Sequence, residues 1–499
     1  MLLILMYLCQ KSIKRKMSLK KSPILRSDLW SYLFWRILYF VPTLLVISLC
    51  SFALMKVSPG DPVRSVLSTA ENNSQSKKLQ ELRYNETAKS LGLDKPAFYF
   101  SLSSQAYPDT IYKVLNFDER RIQEELISQY GNWPQIQDYY QTLEQMELTL
   151  LDLPDSIAPA LQIKVKSDYG DLKFNTNDKK LTTLLNRMEK NVAKDALFQT
   201  VFANDFQNLK NKYLAIKAEA TPERLYFPDF KWYGFDNQYH NWLKSMLSGE
   251  LGKSYINQAP VSKKIIPALK WTLMMSLAAI LIAYLVAIPL GVLSAVKKGS
   301  RFDRGISLIL FMLYSLPIFW IGTLCLMLFT NNEYGMDWFD GTWSSDLPAD
   351  ASFWARFMDT SNQLVLPILC LSYGSFAFLA RQVRGGMLDV FDKLYIQTAR
   401  AKGLKELVVI WKHGFRNALF PIITIFASVF PRAIAGAVVL EYIFNIPGMG
   451  WETLEAISEK DWPVVFAILL LGAVLTMFGI LVADIFYALA DPRVSYRKS

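Results

Sequence analysis

The sequence predicts an all-α polytopic membrane protein: six transmembrane helices, both termini cytoplasmic, and a mostly helical external insertion domain. Three observations carry this prediction. Apolar residues collect in long runs instead of spreading evenly along the 499 residues. Lys and Arg crowd on one side of those runs. The one long segment between runs has the three- and four-residue apolar spacing of amphipathic helices.

Six runs are long enough to cross a bilayer, which takes roughly 20 apolar residues. They lie near 37–55, 272–296, 305–329, 364–380, 417–440 and 463–489. Mean hydropathy is +0.17, and charged residues are only 20% of the chain, below the roughly 25% of a soluble protein. Orientation follows from the basic residues. Eight Lys or Arg precede the first run, four sit between the second and third, eight between the fourth and fifth, and three follow the sixth. The two short connections on the other side hold only Arg356 and Lys460. The segments 1–36 and 490–499 are therefore expected in the cytoplasm. This bias also accounts for the net charge of +10, with no need of a nucleic acid partner.

Segment 56–271 is expected outside. Its centre reads as helices at 119–130 and 181–220, punctuated by Pro154, Pro159, Pro222 and Pro228. The opening MLLILMYLC is too short to span, and its basic residues follow it, the wrong order for a signal peptide. Whether Met1 or Met17 starts the chain stays open. Several runs carry proline: Pro42, Pro289, Pro317, Pro367, Pro421 and Pro431. Spanning helices tolerate proline because neighbours re-satisfy the freed carbonyls.

Motifs for chemistry are few. GELGKS at 249–254 ends like a phosphate-binding loop, but Leu247 stands where that loop needs its first glycine. The four cysteines, Cys9, Cys50, Cys325 and Cys370, give neither a disulfide framework nor a zinc spacing, and the only histidines are His240 and His413. No catalytic residue, metal site or cofactor is expected.

Residues 395–416, YIQTARAKGLKELVVIWKHGFR, pose a different question. A solvated linker has no use for so much apolar surface. Ala399, Leu404 and Leu407 are expected on one face of a short helix, with Lys402 and Lys405 on another, and Val408–Trp411 adding apolar area. Such a surface with a basic rim suits a docking partner or a helix lying on the headgroups.

YIQTARAKGL resembles the "EAA" loop of the oligopeptide/dipeptide permeases of binding-protein-dependent ABC importers. Gln397, Thr398, Ala399 and Gly403 stand at the positions of its Glu-Ala-Ala and glycine. SPGDP at 58–62, LGLDKP at 91–96, QYHNWLKSMLSGELGKS at 238–254 and PV at 260–261 follow the same family. So do IPLG at 288–291, GSRFDR at 299–304, SLPIFWIG at 315–322, AVVLEYIFNIPGMG at 437–450, DWPVV at 461–465 and DPRVSY at 491–496. Singly they are weak; their order and spacing are specific.

The resemblance implies a permease core at 272–489 in a bacterial plasma (inner) membrane. It also implies a cytoplasmic coupling loop at 381–416, in which Gln397, Thr398, Ala399, Arg400, Ala401, Lys402, Gly403 and Leu404 dock on an ATPase. The implied partners are a second permease subunit (the same chain or another), two cytoplasmic ATPase subunits, an external substrate-binding protein, a peptide substrate and the lipid bilayer. ATP hydrolysis would sit on the separate chains. A permease of the same fold for another solute, such as nickel chelates, is the alternative. A stand-alone secondary transporter would need repeats that the sequence lacks.

The sequence departs from the pattern in three places. HGFR at 413–416 replaces the broad consensus I-x-L-P. An insertion at about 97–237 interrupts a segment that usually runs directly from LGLDKP to QYHNWL. Pro431 and Arg432 fall within the fifth run. Arg432 lies nine residues before Glu441, about 13 Å of helix rise from the outer end, where an arginine facing lipid costs roughly 2.5 kcal/mol or more. It is expected either on the translocation path, attracting a peptide carboxylate, or in a structural role, snorkelling or paired with an acid.

Overall fold

The computed structural model describes residues 24–67, 77–151, 153–154, 157–331, 335–341, 343, 348, 350–418 and 437–490. They form two compact units, one of residues 1–58 with 250–499 and one of 59–249.

The first unit is built on long apolar helices. Among the described residues four are long and apolar enough to cross a membrane: Leu33–Val57 within α1 (Ile24–Val57), α10 (Val261–Val296), α13 (Phe353–Phe391), and Trp462–Ile485 within α17 (Trp462–Ala490). A fifth candidate is a bent pair, α11 (Arg301–Ser315) and α12 (Ile318–Phe329), whose axes differ by 94°. The run expected as a span at 305–329 is broken at Pro317, one of the prolines the sequence places in the runs. Pro317 has no N–H and disfavours helical backbone at the residue before it, and Leu316 is extended, with φ −84° and ψ 128°. The Leu316 carbonyl freed by the break accepts a hydrogen bond from the Tyr373 hydroxyl on α13 at 2.9 Å. Pro42, Pro289 and Pro367, by contrast, sit inside unbroken helices.

Two further boundaries move. α10 starts at Val261, eleven residues before the expected span. α13 has 39 residues and runs well past both ends of the expected 364–380, so the first part of the loop expected at 381–416 is helix. Most of the expected fifth span lies outside the described residues, Arg432 and Pro431 among them. Its expected outer end belongs to a separate short helix, α15 (Val438–Ile443), which is followed by α16 (Met449–Ser458).

α10 and α13 pack side by side, running in the same direction. Their contact is lined by small residues, among them the buried Ala283, Ala287 and Ala380. Gly291 allows the closest approach, since a Cβ there would come within 2.6 Å of the Ala380 carbonyl oxygen and 2.7 Å of Val383 Cβ. Small residues let membrane helices pack tightly without a water-driven force between them. α1 is joined to α17 by an ion pair between Arg36 Nε and Asp484 Oδ2 at 3.2 Å.

The second unit opens with α2 (Pro62–Leu67) and α3 (Lys77–Ser90). It then holds five helices between the strands of an antiparallel ribbon: α4 (Phe117–Tyr130), α5 (Trp133–Leu151), α6 (Pro159–Lys173), α7 (Asp178–Val192) and α8 (Ala196–Ala218). The run expected at 181–220 is thus two helices, divided where the Asp195 carboxylate caps the N-terminus of α8 by accepting from Leu197 N and Phe198 N. Tyr139, Leu143, Met146, Phe198 and Phe202 are buried in one apolar core. Lys173 lies 3.6 Å from Glu119 and 3.5 Å from Glu147, and burial pushes the Glu119 carboxyl above its usual range. Gly131 ends α4 at φ 72°, and a Cβ there would collide with the Thr221 carbonyl.

The ribbon pairs β1 (Phe100–Ser104) with β2 (Pro228–Trp232), with Phe100 opposite Trp232 and Ser104 opposite Pro228. Beyond it, Gln238 N donates to the Pro96 carbonyl at 2.9 Å and Tyr239 N to that of Ala97 at 3.1 Å. The two ends of 97–237 therefore meet, and α9 (Gln238–Leu247) follows directly.

Candidate coupling site

After α13 ends at Phe391 the chain turns through Asp392 and Lys393 into α14 (Leu394–Ala401). This eight-residue helix ends in a Schellman motif. Leu404 N donates to the Ala399 carbonyl at 3.4 Å and Gly403 N to that of Arg400 at 2.9 Å. Gly403 has φ 69°, and no atom lies within 4 Å of where its Cβ would sit. Glycine is favoured there by the sign of the backbone angle, with crowding playing no part.

The helix has an inner and an outer face. Ile396 and Ala399 are buried against Val292 and Ala295 of α10 and Val383, Met387 and Val390 of α13. Gln397, Thr398, Arg400, Ala401, Lys402, Gly403 and Leu404 are exposed. The grouping expected from the sequence is corrected here. The helix stops at Ala401, so Ala399 points inward while Leu404 and Leu407 are exposed on the chain beyond it. Val409 and Ile410, expected to add surface, are buried in the same cluster as Ile396. They begin a π-helical stretch, Val409–Phe415; such wide turns recur at functional sites. Leu407 and Trp411 remain exposed, at 70% and 43%. Arg400 closes the loop with a 2.7 Å ion pair to Glu406, and its guanidinium lies 5.6 Å from the Phe391 ring centre. The Thr398 hydroxyl donates to the Leu394 carbonyl at 2.9 Å.

Beneath the loop is a charge clamp that sequence reasoning missed. The Asp303 carboxylate, 5% exposed, accepts both Nε and Nη2 of Arg384 at 2.8 Å. It also accepts Gly299 N at 2.9 Å and the Ser294 hydroxyl. The turn between α10 and α11 is thereby fixed to α13 about two helical turns before α13 ends at Phe391. Arg384 counts from sequence only as one of the basic residues that set orientation. Its one signal is the Asp303 of GSRFDR, an acid inside a basic segment.

Two more buried carboxylates sit in the family-like motifs. Glu441 accepts from the Thr272 hydroxyl at 2.9 Å, Gly450 N at 2.6 Å and Trp451 N at 3.0 Å. A Cβ at Gly448 or Gly450 would strike its carboxylate, which explains the glycines of IPGMG. Asp461 accepts from the Ser254 hydroxyl and from Tyr255 N at 2.9 Å. The Ser of GELGKS therefore fastens the segment that leads into α10 to the start of α17. Among the described residues no three His, Cys, Asp or Glu side chains gather into a metal site.

Residues 287–496 match the family of binding-protein-dependent transport system inner membrane components. The oligopeptide transport system permease protein AppB of Bacillus subtilis (strain 168) is 40% identical over 260 residues, covering 52% of this chain and 80% of that protein. The chain belongs to this family. It is also 35% identical over 275 residues to the di/tripeptide transport system permease protein DppB of Pseudomonas aeruginosa (strain UCBPP-PA14), and 33% identical over 275 residues to the dipeptide transport system permease protein DppB of Escherichia coli (strain K12). Each alignment covers 52% of this chain and 81% of the relative. As an inner membrane component the chain is a multi-pass membrane protein, and the loop at 394–404, the Asp303–Arg384 clamp and Glu441 all fall within the matched residues.

Proposed function

We propose that this chain is the membrane-spanning permease of an ATP-driven importer, and that it forms the path for peptides delivered by an external binding protein. It would work beside a second permease and two cytoplasmic ATPase subunits. Six spans with both termini in the cytoplasm fit the distribution of Lys and Arg, with the fifth at about 417–440. The peptide assignment rests on the relatives, whose names carry oligopeptide and dipeptide transport. The ATPase assignment rests on one observation: a short helix whose inner face is buried in the α10–α13 cluster, while Gln397, Thr398, Lys402 and Leu404 are left exposed.

An exposed patch held on a rigid frame is what a docking element needs, because its ordering cost is met within the subunit itself. Closure of an ATPase dimer would push on α14, and the buried contacts of Ile396 and Ala399 would pass the displacement to α10 and α13. Cysteines in place of Thr398 and Leu404 should cross-link to the ATPase in the assembled importer, while one at Leu102 of β1 should not. Absence of the first two cross-links in a complex competent for uptake would remove this assignment.

The second unit we assign to the outside, where 97–237 is an insertion that contacts the binding protein or covers the entrance.

A further inference from the structure

We propose that a groove on the first unit holds one anionic phospholipid. It is a cavity of about 330 Å³ among α10, α11 and α13. Leu310, Phe311 and Tyr314 of α11 and Phe378 of α13 line one part, and Ser307 and Arg381 another. The helix directions order these groups. α10 and α13 run toward the basic α10–α11 turn, and α11 runs away from it. Arg381 and Ser307 therefore lie toward that turn, and Phe378, Leu310, Phe311 and Tyr314 lie progressively further into the apolar part of the helices.

The groove is polar and cationic at one end and aromatic at the other, which is the pattern of an amphiphile with an anionic head. Its two arginines differ. Arg384 is neutralised by Asp303 at 2.8 Å. Arg381 is exposed and has no ion-pair or hydrogen-bond partner among the described residues. Among the described residues no Asp or Glu lines the groove, and Lys297, Lys298, Arg301 and Arg304 crowd the turn below. Basic pockets between spanning helices on the cytoplasmic side recruit anionic headgroups. Phe311, Tyr314 and Phe378 are 67%, 62% and 43% exposed, so an acyl chain laid along them would cover surface that is left open among the described residues. The proposal rests on the orientation given above only for the leaflet; the charge and apolar pattern stand without it.

The test uses the full importer in nanodiscs of phosphatidylcholine with one part in ten phosphatidylglycerol. With p-benzoylphenylalanine in place of Phe311, illumination should give an adduct of phosphatidylglycerol mass, enriched about fivefold over its share of the bilayer. Arg381→Gln should bring that enrichment to about one, and Arg381→Lys should keep most of it. Adducts that follow bulk lipid composition in the unaltered Arg381 background would overturn the proposal, whatever the variants do. So would adducts with another polypeptide only, which would assign the groove to subunit packing. Peptide uptake is not the readout, so failure here is distinct from failure of the transport assignment.

Discussion

Asp303 and Arg384 show what a single pair contributes. The guanidinium gives two parallel N–H bonds to one carboxylate, a geometry that lysine cannot reproduce. Arg384→Gln leaves Asp303 buried with only the Ser294 and Gly299 donors. That should cost on the order of 3 kcal/mol, the low end for a broken buried pair, because the Arg384 side chain is 30% exposed. Thermal unfolding of the purified complex should show the largest fall for Arg384→Gln and a smaller one for Arg384→Lys. Equal midpoints for both variants and the parent would mean that the clamp does not hold the turn. The pair was not legible in the sequence because its members are 81 residues apart. Periodicity and charge counting report only on neighbours, so Arg384 reads as one more orienting charge. Glu441 and Asp461 were visible as acids within motifs, but their distant partners, Thr272 on α10 and Ser254 in the segment before it, were not.

Among the elements, a short helix in 395–416 was legible from its local apolar spacing, and Gly403 from its place in the loop motif. The sidedness of the helix was not. It depends on where the backbone leaves the helix, and Ala401 ends it two residues before the glycine. Pro317 carries the same lesson. Pro42, Pro289 and Pro367 look equivalent to it in the sequence, yet among these described prolines only Pro317 has a tyrosine across the helix pair to satisfy the carbonyl exposed by a right-angle break. At Gly403 the structure separates two substitutions. Alanine keeps the N–H bond to Arg400 but holds φ 69° at a cost of roughly 1–2 kcal/mol. Proline loses that bond and cannot adopt a positive φ at all. Gly403→Ala should therefore weaken coupling, and Gly403→Pro should abolish it while the protein still inserts. Substrate-stimulated ATPase of reconstituted importer reads both; equal, parent-like stimulation would show that the turn is dispensable.

At the scale of the whole molecule, the apolar runs and the Lys and Arg bias were enough to mark a polytopic membrane protein, because the bilayer imposes long, uncharged helices wherever it is crossed. The insertion stood out as a break in a familiar order of motifs. Its internal packing, five helices closed by a two-stranded ribbon, follows from long-range burial that spacing alone does not give. Since Gln238 N and the Pro96 carbonyl are 2.9 Å apart, excision of 97–237 with a two-glycine linker should leave the LGLDKP and QYHNWL segments joined. The shortened chain should insert and assemble, but with lower affinity for the binding protein in a pull-down or titration. Unchanged affinity together with unchanged uptake would make the insertion a passive one, consistent with the small entropic cost of long surface insertions.

This subunit is proposed to carry peptide through the membrane at the expense of ATP hydrolysed elsewhere, with α14 as the link. Uptake of a labelled peptide into proteoliposomes holding the complete importer tests it most directly. Uptake should require the external binding protein and ATP on the α14 side, and should vanish with Gly403→Pro while the ATPase subunits stay bound or hydrolyse ATP without transport. Uptake driven by an ion gradient without ATP, or undiminished in Gly403→Pro, would show that α14 does not couple transport to ATP.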